Sequence, residues 1–120
     1  MHIFIVDDDP SFGRSLKRML EARAFEADHF ESAQAFIDSV PSDQHGIAIV
    51  DLHMPECDGL TLMDKMKELH YIMPVIVVTG HSLADSLAQA MKRGALGFLQ
   101  KPFNERSLLA LIEARIEVGR

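Results

Sequence analysis

Three short apolar runs dominated by β-branched residues, at positions 3–6, 47–50 and 75–78, set the strongest limit on what this chain can fold into. Each is too brief for a helix and lacks the polar–apolar alternation of a half-exposed strand, so they read as central parallel strands covered on both faces. Parallel strands need crossovers, and the intervening segments have helical spacing: Phe12, Leu16, Met19 and Leu20; Ala33, Phe36, Ile37 and Val40; Ala84, Leu87, Ala88 and Met91; Leu108, Leu111, Ile112 and Arg115.

Boundary signals agree. Asp9 before Pro10, Ser32 before Ala33, Ser82 with Asp85 three residues on, and Asn104 before Glu105 suit helix N-caps, and Gly94 suits the position just past a helix end. Residues 25–30 are more polar and suit an edge strand, 96–99 supply a short last strand, and 60–69 complete the helices. Strict alternation of five strands and five helices predicts an open, doubly wound α/β sheet, which binds ligands beyond the carboxyl ends of its strands.

The length of 120 residues fits one domain spanning 1–120, and 48% hydrophobic with 25% charged residues is ordinary for a soluble globular chain. A net charge of −6 with scattered Lys and Arg offers no basic patch for nucleic acid. Nothing resembles a signal peptide, no apolar stretch nears the roughly 20 residues that cross a bilayer, and the single cysteine, Cys57, allows no internal disulfide. The expectation is a cytoplasmic protein without a membrane anchor.

Polar residues gather where the strands end: Asp7, Asp8 and Asp9 after the first, Asp51 after the third, Thr79 after the fourth and Lys101 after the fifth. Taken singly, each has an ordinary explanation, and Asp9 reads as a helix cap. Asp7, Asp8 and Asp51 together would repel one another unless a cation sat among them, and oxygen donors with room for water favour Mg²⁺, whose usual partners are phosphates. Lys101 and Thr79 could then stabilise a phosphoryl group, leaving Asp51 as a nucleophile that forms an acyl phosphate.

The stretches IFIVDDDP (3–10), IVDLHMPECDGL (49–60), VVTGH (77–81) and GFLQKPF (97–103) closely resemble the receiver domains of bacterial two-component response regulators. DDDP, TGH, AMKRGA (90–95) and KPF look most like receivers of FixJ-like regulators, usually joined to a LuxR-type helix-turn-helix. The resemblance implies a flavodoxin-like, CheY-like fold with strand order 2-1-3-4-5 and a switch phosphorylated on Asp51 by a histidine kinase or phosphotransfer protein. The resemblance also implies a signalling domain and no metabolic enzyme, one that would catalyse its own phosphoryl transfer and slow autodephosphorylation. Mg²⁺ (or Mn²⁺) would be held by Asp7, Asp8, Asp51 and the backbone carbonyl of His53, with Thr79 as switch hydroxyl, Lys101 on the phosphate and a cis Lys101–Pro102 peptide.

The resemblance further implies that Thr79 moves toward the phosphate while Phe98 turns inward, remodelling the fourth-helix, fifth-strand and fifth-helix face on which relatives dimerise. Tyr is common at the position of Phe98, so an output that needs its hydroxyl would be lost, and a ring fixed in the core is the other reading. Among six histidines no paired zinc-ligand spacing occurs. His53 and His81, two residues after Asp51 and Thr79, are placed to tune the lifetime of the phosphoryl group, or are solvated surface. The methionines, Met91 included, read as core filling, and Cys57 receives no role. A haloacid-dehalogenase-type phosphatase would carry its nucleophile in Asp-x-Asp after its first strand, whereas the proposed nucleophile here follows the third as Asp51-Leu52-His53, and neither Gly-x-Gly-x-x-Gly nor the Walker pattern occurs.

Overall fold

The computed structural model describes residues 1–80 and 84–118. In chain order the elements are β1 (His2–Val6), α1 (Pro10–Ala22), β2 (Glu26–Phe30), α2 (Ala33–Ser39), β3 (Ile47–Asp51), α3 (Gly59–Glu68), β4 (Val75–Thr79), α4 (Ala84–Lys92), β5 (Gly97–Gln100) and α5 (Glu105–Val118). The strands form one parallel sheet in the order β2-β1-β3-β4-β5. The predicted architecture and strand order are those observed.

Strand parity divides the core. Phe4, Val6, Ala48, Val50, Val75 and Val77 face α2, α3 and α4, where Phe36, Leu62, Met66 and Ala90 are buried against them. Ile3, Ile5, Ile47, Ile49, Ile76 and Val78 face α1 and α5, meeting Leu16, Leu20, Leu108 and Ile112. Both sides of β1, β3 and β4 are covered, which is why their sequences are continuously apolar. The polar end strand β2 pairs only with β1 in the sheet order.

The helix starts follow the expected side-chain caps. Asp9 accepts from the N–H groups of Ser11 and Phe12, Ser32 from Ala35 and Asn104 from Ser107. Asp58 caps α3 in the same way, accepting from Thr61. Gly94 has a φ of 86°, the left-handed conformation suited to its place beyond α4. The cap expected at Ser82 lies outside the described residues.

One expectation needs correction. Met91 does not fill the core: it is 48% exposed and Leu87 is 42% exposed. α4 reaches the sheet through the small side chain of Ala90, fully buried beside β4 and β5, so the stripe carrying Leu87 and Met91 faces solvent. Met63 and Met66 are buried and Met19 packs against the α1–α5 core, as expected.

Candidate functional site

The sheet places Asp7 one residue beyond β1 and Asp51 at the end of the neighbouring β3. Both carboxylates are withdrawn from water, with Asp7 1% and Asp51 6% exposed, while Asp8 is exposed at the rim. One carboxylate oxygen from each of Asp7, Asp8 and Asp51 lies within 4.8 Å of the others. Local backbone geometry fixes two of these groups: Asp7 Oδ1 accepts the N–H of Asp9 at 2.9 Å, and Asp51 Oδ1 accepts the N–H of His53 at 3.1 Å.

Lys101 enters from the far side of the sheet. Its Nζ donates to Asp7 Oδ2 at 2.6 Å and to Asp51 Oδ2 at 3.5 Å. The ammonium also stands 4.0 Å from the centre of the Phe12 ring, and Phe12 meets Phe103 edge-to-face. Phe12 thus supplies an apolar wall and an attractive π face for the cation. The Lys101–Pro102 peptide is cis, as the resemblance implied.

Thr79, the last residue of β4, is fully buried, and its carbonyl accepts the Lys101 N–H at 2.6 Å. The hydroxyl-bearing strand end and the lysine-bearing loop are therefore tied together through the main chain. Phe98 lies in register with Val77, two residues before Thr79, and is half-buried against the core that contains Ala90. The side chain of His53 is exposed, and His81 lies outside the described residues.

Burial raises the Asp51 carboxyl above its ordinary value of 3.8; the His53 N–H and Lys101 oppose this rise, and the charge of Asp7 adds to it. Among the described residues, the Lys101 ammonium pairs with Asp7 and Asp51 of the three clustered carboxylates, one positive charge against three acidic groups. An all-oxygen donor set with one open side and two rigid members fits a hard divalent cation that keeps part of its water.

Residues 3–113 match the family described as the response regulator receiver domain. The chain belongs to that family. Among its relatives, the receiver is 38% identical over 115 residues to the transcriptional regulatory protein FixJ of Bradyrhizobium diazoefficiens, covering 96% of this chain and 56% of FixJ. It is 35% identical over 118 residues to the transcriptional regulatory protein TdiR of Thauera aromatica, covering 98% of this chain and 52% of TdiR. The receiver thus spans about half the length of these relatives. Its fold superposes on FixJ-N with a TM-score of 0.87 at 35% identity, covering 93% of this chain and 90% of that one. The response regulator StyR gives a TM-score of 0.90 at 33% identity, covering 98% of this chain and 59% of StyR.

The receiver brings Asp7, Asp8, Asp51 and Lys101 together, with Thr79 joined to Lys101 through the main chain, whereas Phe98 stands apart, packed against the core that contains Ala90. Sequence reasoning missed Phe12. Its apolar helical spacing marks it as buried, but nothing local reveals that a cation 89 positions later in the sequence settles on its ring.

Proposed function

We propose that this receiver, acting as one domain, is a switch driven by covalent phosphorylation of Asp51. The observation that carries the reading is the sharing of Lys101 between Asp7 and Asp51 inside a cluster of three carboxylates. Asp51 Oδ attacks phosphorus as the bond to the donor breaks. With a phosphohistidine of a sensor kinase or phosphotransfer protein as donor, the electron pair returns to the imidazole nitrogen. Lys101 neutralises the incoming oxygens, and Asp7 and Phe12 keep its ammonium within reach before they arrive.

Asp7, Asp8, Asp51 and the His53 backbone carbonyl would hold Mg²⁺ or Mn²⁺. When bound, this ion supplies the positive charge that lets an anionic carboxylate approach an anionic phosphoryl group. His53, two residues after Asp51, and His81, two after Thr79, would set water access to the acyl phosphate.

Phosphorylation adds roughly −1.5 to −2 units of charge at pH 7. The Thr79 hydroxyl would turn toward it, and Phe98, which shares a face with Val77 and a core with Ala90, would transmit the change to the surface of α4, β5 and α5. Homodimers through that surface and control of transcription by a longer parent protein are the outputs we infer, in the cytoplasm and without direct DNA contact by this domain. No helix among the described residues is long and apolar enough to cross a membrane.

Incubation with acetyl phosphate and Mg²⁺, followed by intact-mass measurement of wild type and Asp51→Asn, tests the reading. One added phosphoryl group on the wild type and none on the variant is the expected result. Equal labelling of both would overturn it.

A further inference from the structure

The end of β2 holds both main-chain polar groups of Asp7. Its N–H donates to the Phe30 carbonyl at 3.0 Å, and its carbonyl accepts from Nε2 of His29 at 2.8 Å. The β1–β2 register runs only to Val6 and Phe30, so a side chain takes over where the ladder stops. The carbonyl concerned belongs to the peptide that joins Asp7 to Asp8. Its orientation sets the relative aim of the first two acidic residues of the site.

The imidazole reaches this carbonyl by lying over Gly13, a buried glycine in α1. A Cβ there would stand 2.2 Å from Cε1 and 2.3 Å from Nε2 of His29, overlapping the ring. Glycine is a poor helix former, and one inside a helix asks for a packing reason. Here the reason is clearance for the ring. Nε2 donates as the neutral tautomer that carries its proton there and as imidazolium, so the contact does not depend on the charge of His29.

We propose that His29 is a positioning residue for the acidic site: its bond to the Asp7 carbonyl fixes the Asp7–Asp8 peptide so that both carboxylates converge with Asp51, and Gly13 provides the room. This rests on the reading of that site as the place of metal-dependent phosphorylation. Groups that orient metal ligands affect affinity strongly even without touching the ion.

Three variants test it, each compared with wild type by Mg²⁺ titration of amide NMR shifts and by thermal unfolding in chelator. His29→Leu keeps bulk without a donor, His29→Gln keeps an N–H at the same reach, and Gly13→Ala displaces the ring. The Leu and Ala variants should bind Mg²⁺ about tenfold more weakly, and Gln should return to within about twofold of wild type. Wild-type affinity in the Leu variant overturns the proposal, as does a Gln variant as weak as Leu, which would make His29 simple packing. Acetyl-phosphate labelling separates the two readings: wild type that binds Mg²⁺ but takes no phosphoryl group refutes the switch and leaves the His29 comparison to stand on affinity. Wild type that binds no Mg²⁺ refutes both.

Discussion

The ammonium of Lys101 stands closer to Asp7 than to Asp51, at 2.6 Å against 3.5 Å. The lysine is thus anchored mainly by Asp7, which leaves Asp51, the carboxylate proposed to attack phosphorus, the less tightly held of the two. Replacing Lys101 by Met leaves two buried carboxylates without their cation. Urea unfolding in chelator should show a loss on the order of 1–3 kcal/mol, partly restored by Mg²⁺. Equal stability of the two proteins in chelator would show that the contact does not stabilise the fold.

Asp51→Asn should stabilise the metal-free protein at pH 7. The folded-state carboxyl is raised, chiefly by burial, so its contribution is fully present below the ordinary value of 3.8 and is lost as pH rises through the higher folded value. Asn has no charge to bury. The gain in melting temperature should therefore shrink as pH falls toward 3.8. Mg²⁺ should reverse the order, since ligand at a hundred times its dissociation constant adds about 2.7 kcal/mol to the protein that binds it.

The cation–π contact between Lys101 and Phe12 is open to a double-mutant cycle of Phe12→Leu and Lys101→Met. A coupling of about 1 kcal/mol is expected for a partly desolvated pair. Coupling near zero would reduce Phe12 to a steric wall.

The hydroxyl of Tyr71 donates to the Val40 carbonyl at 2.5 Å, joining the end of α2 to the segment after α3. Tyr71→Phe should cost about 1 kcal/mol in urea unfolding. Burial, with help from the charge of Asp38, holds this phenol above its ordinary 10.0. Ultraviolet titration of the single tyrosine should give a midpoint above 10.0, and the stability it contributes is lost as pH rises through that midpoint.

Leu87 and Met91 form an exposed apolar stripe on α4. If dimers form there, sedimentation of the beryllofluoride-treated receiver should show dimer at high concentration, and Leu87→Asp should keep it monomeric. A treated wild type that remains monomeric refutes the dimer.

The sheet was legible because β1, β3 and β4 are buried on both faces and must be continuously apolar, and because the polar side chains at their ends have few structural reasons to coincide. α4 was harder to place. Its periodicity marks an apolar stripe but not the side on which that stripe lies, and a single alanine sufficed for the contact with the sheet. The partners of Lys101 and His29 were hidden for another reason: Phe12 and Asp7 reach them through tertiary packing across elements far apart in sequence. Gly13 was the one local trace of the second contact, since a glycine within α1 is costly unless something occupies its missing side chain.

The two-sided core gives the sheet the character of a partition. Asp51, in register with Val78, opens on the compartment walled by α1 and α5, and Thr79 continues the row of Val75 and Val77 in the compartment walled by α2, α3 and α4. A charge placed on Asp51 and answered by Thr79 would be felt in both rooms at once. Since α4 closes one and α5 the other, the two meet the outside along a common seam beside β5, where a disturbance begun in either would surface.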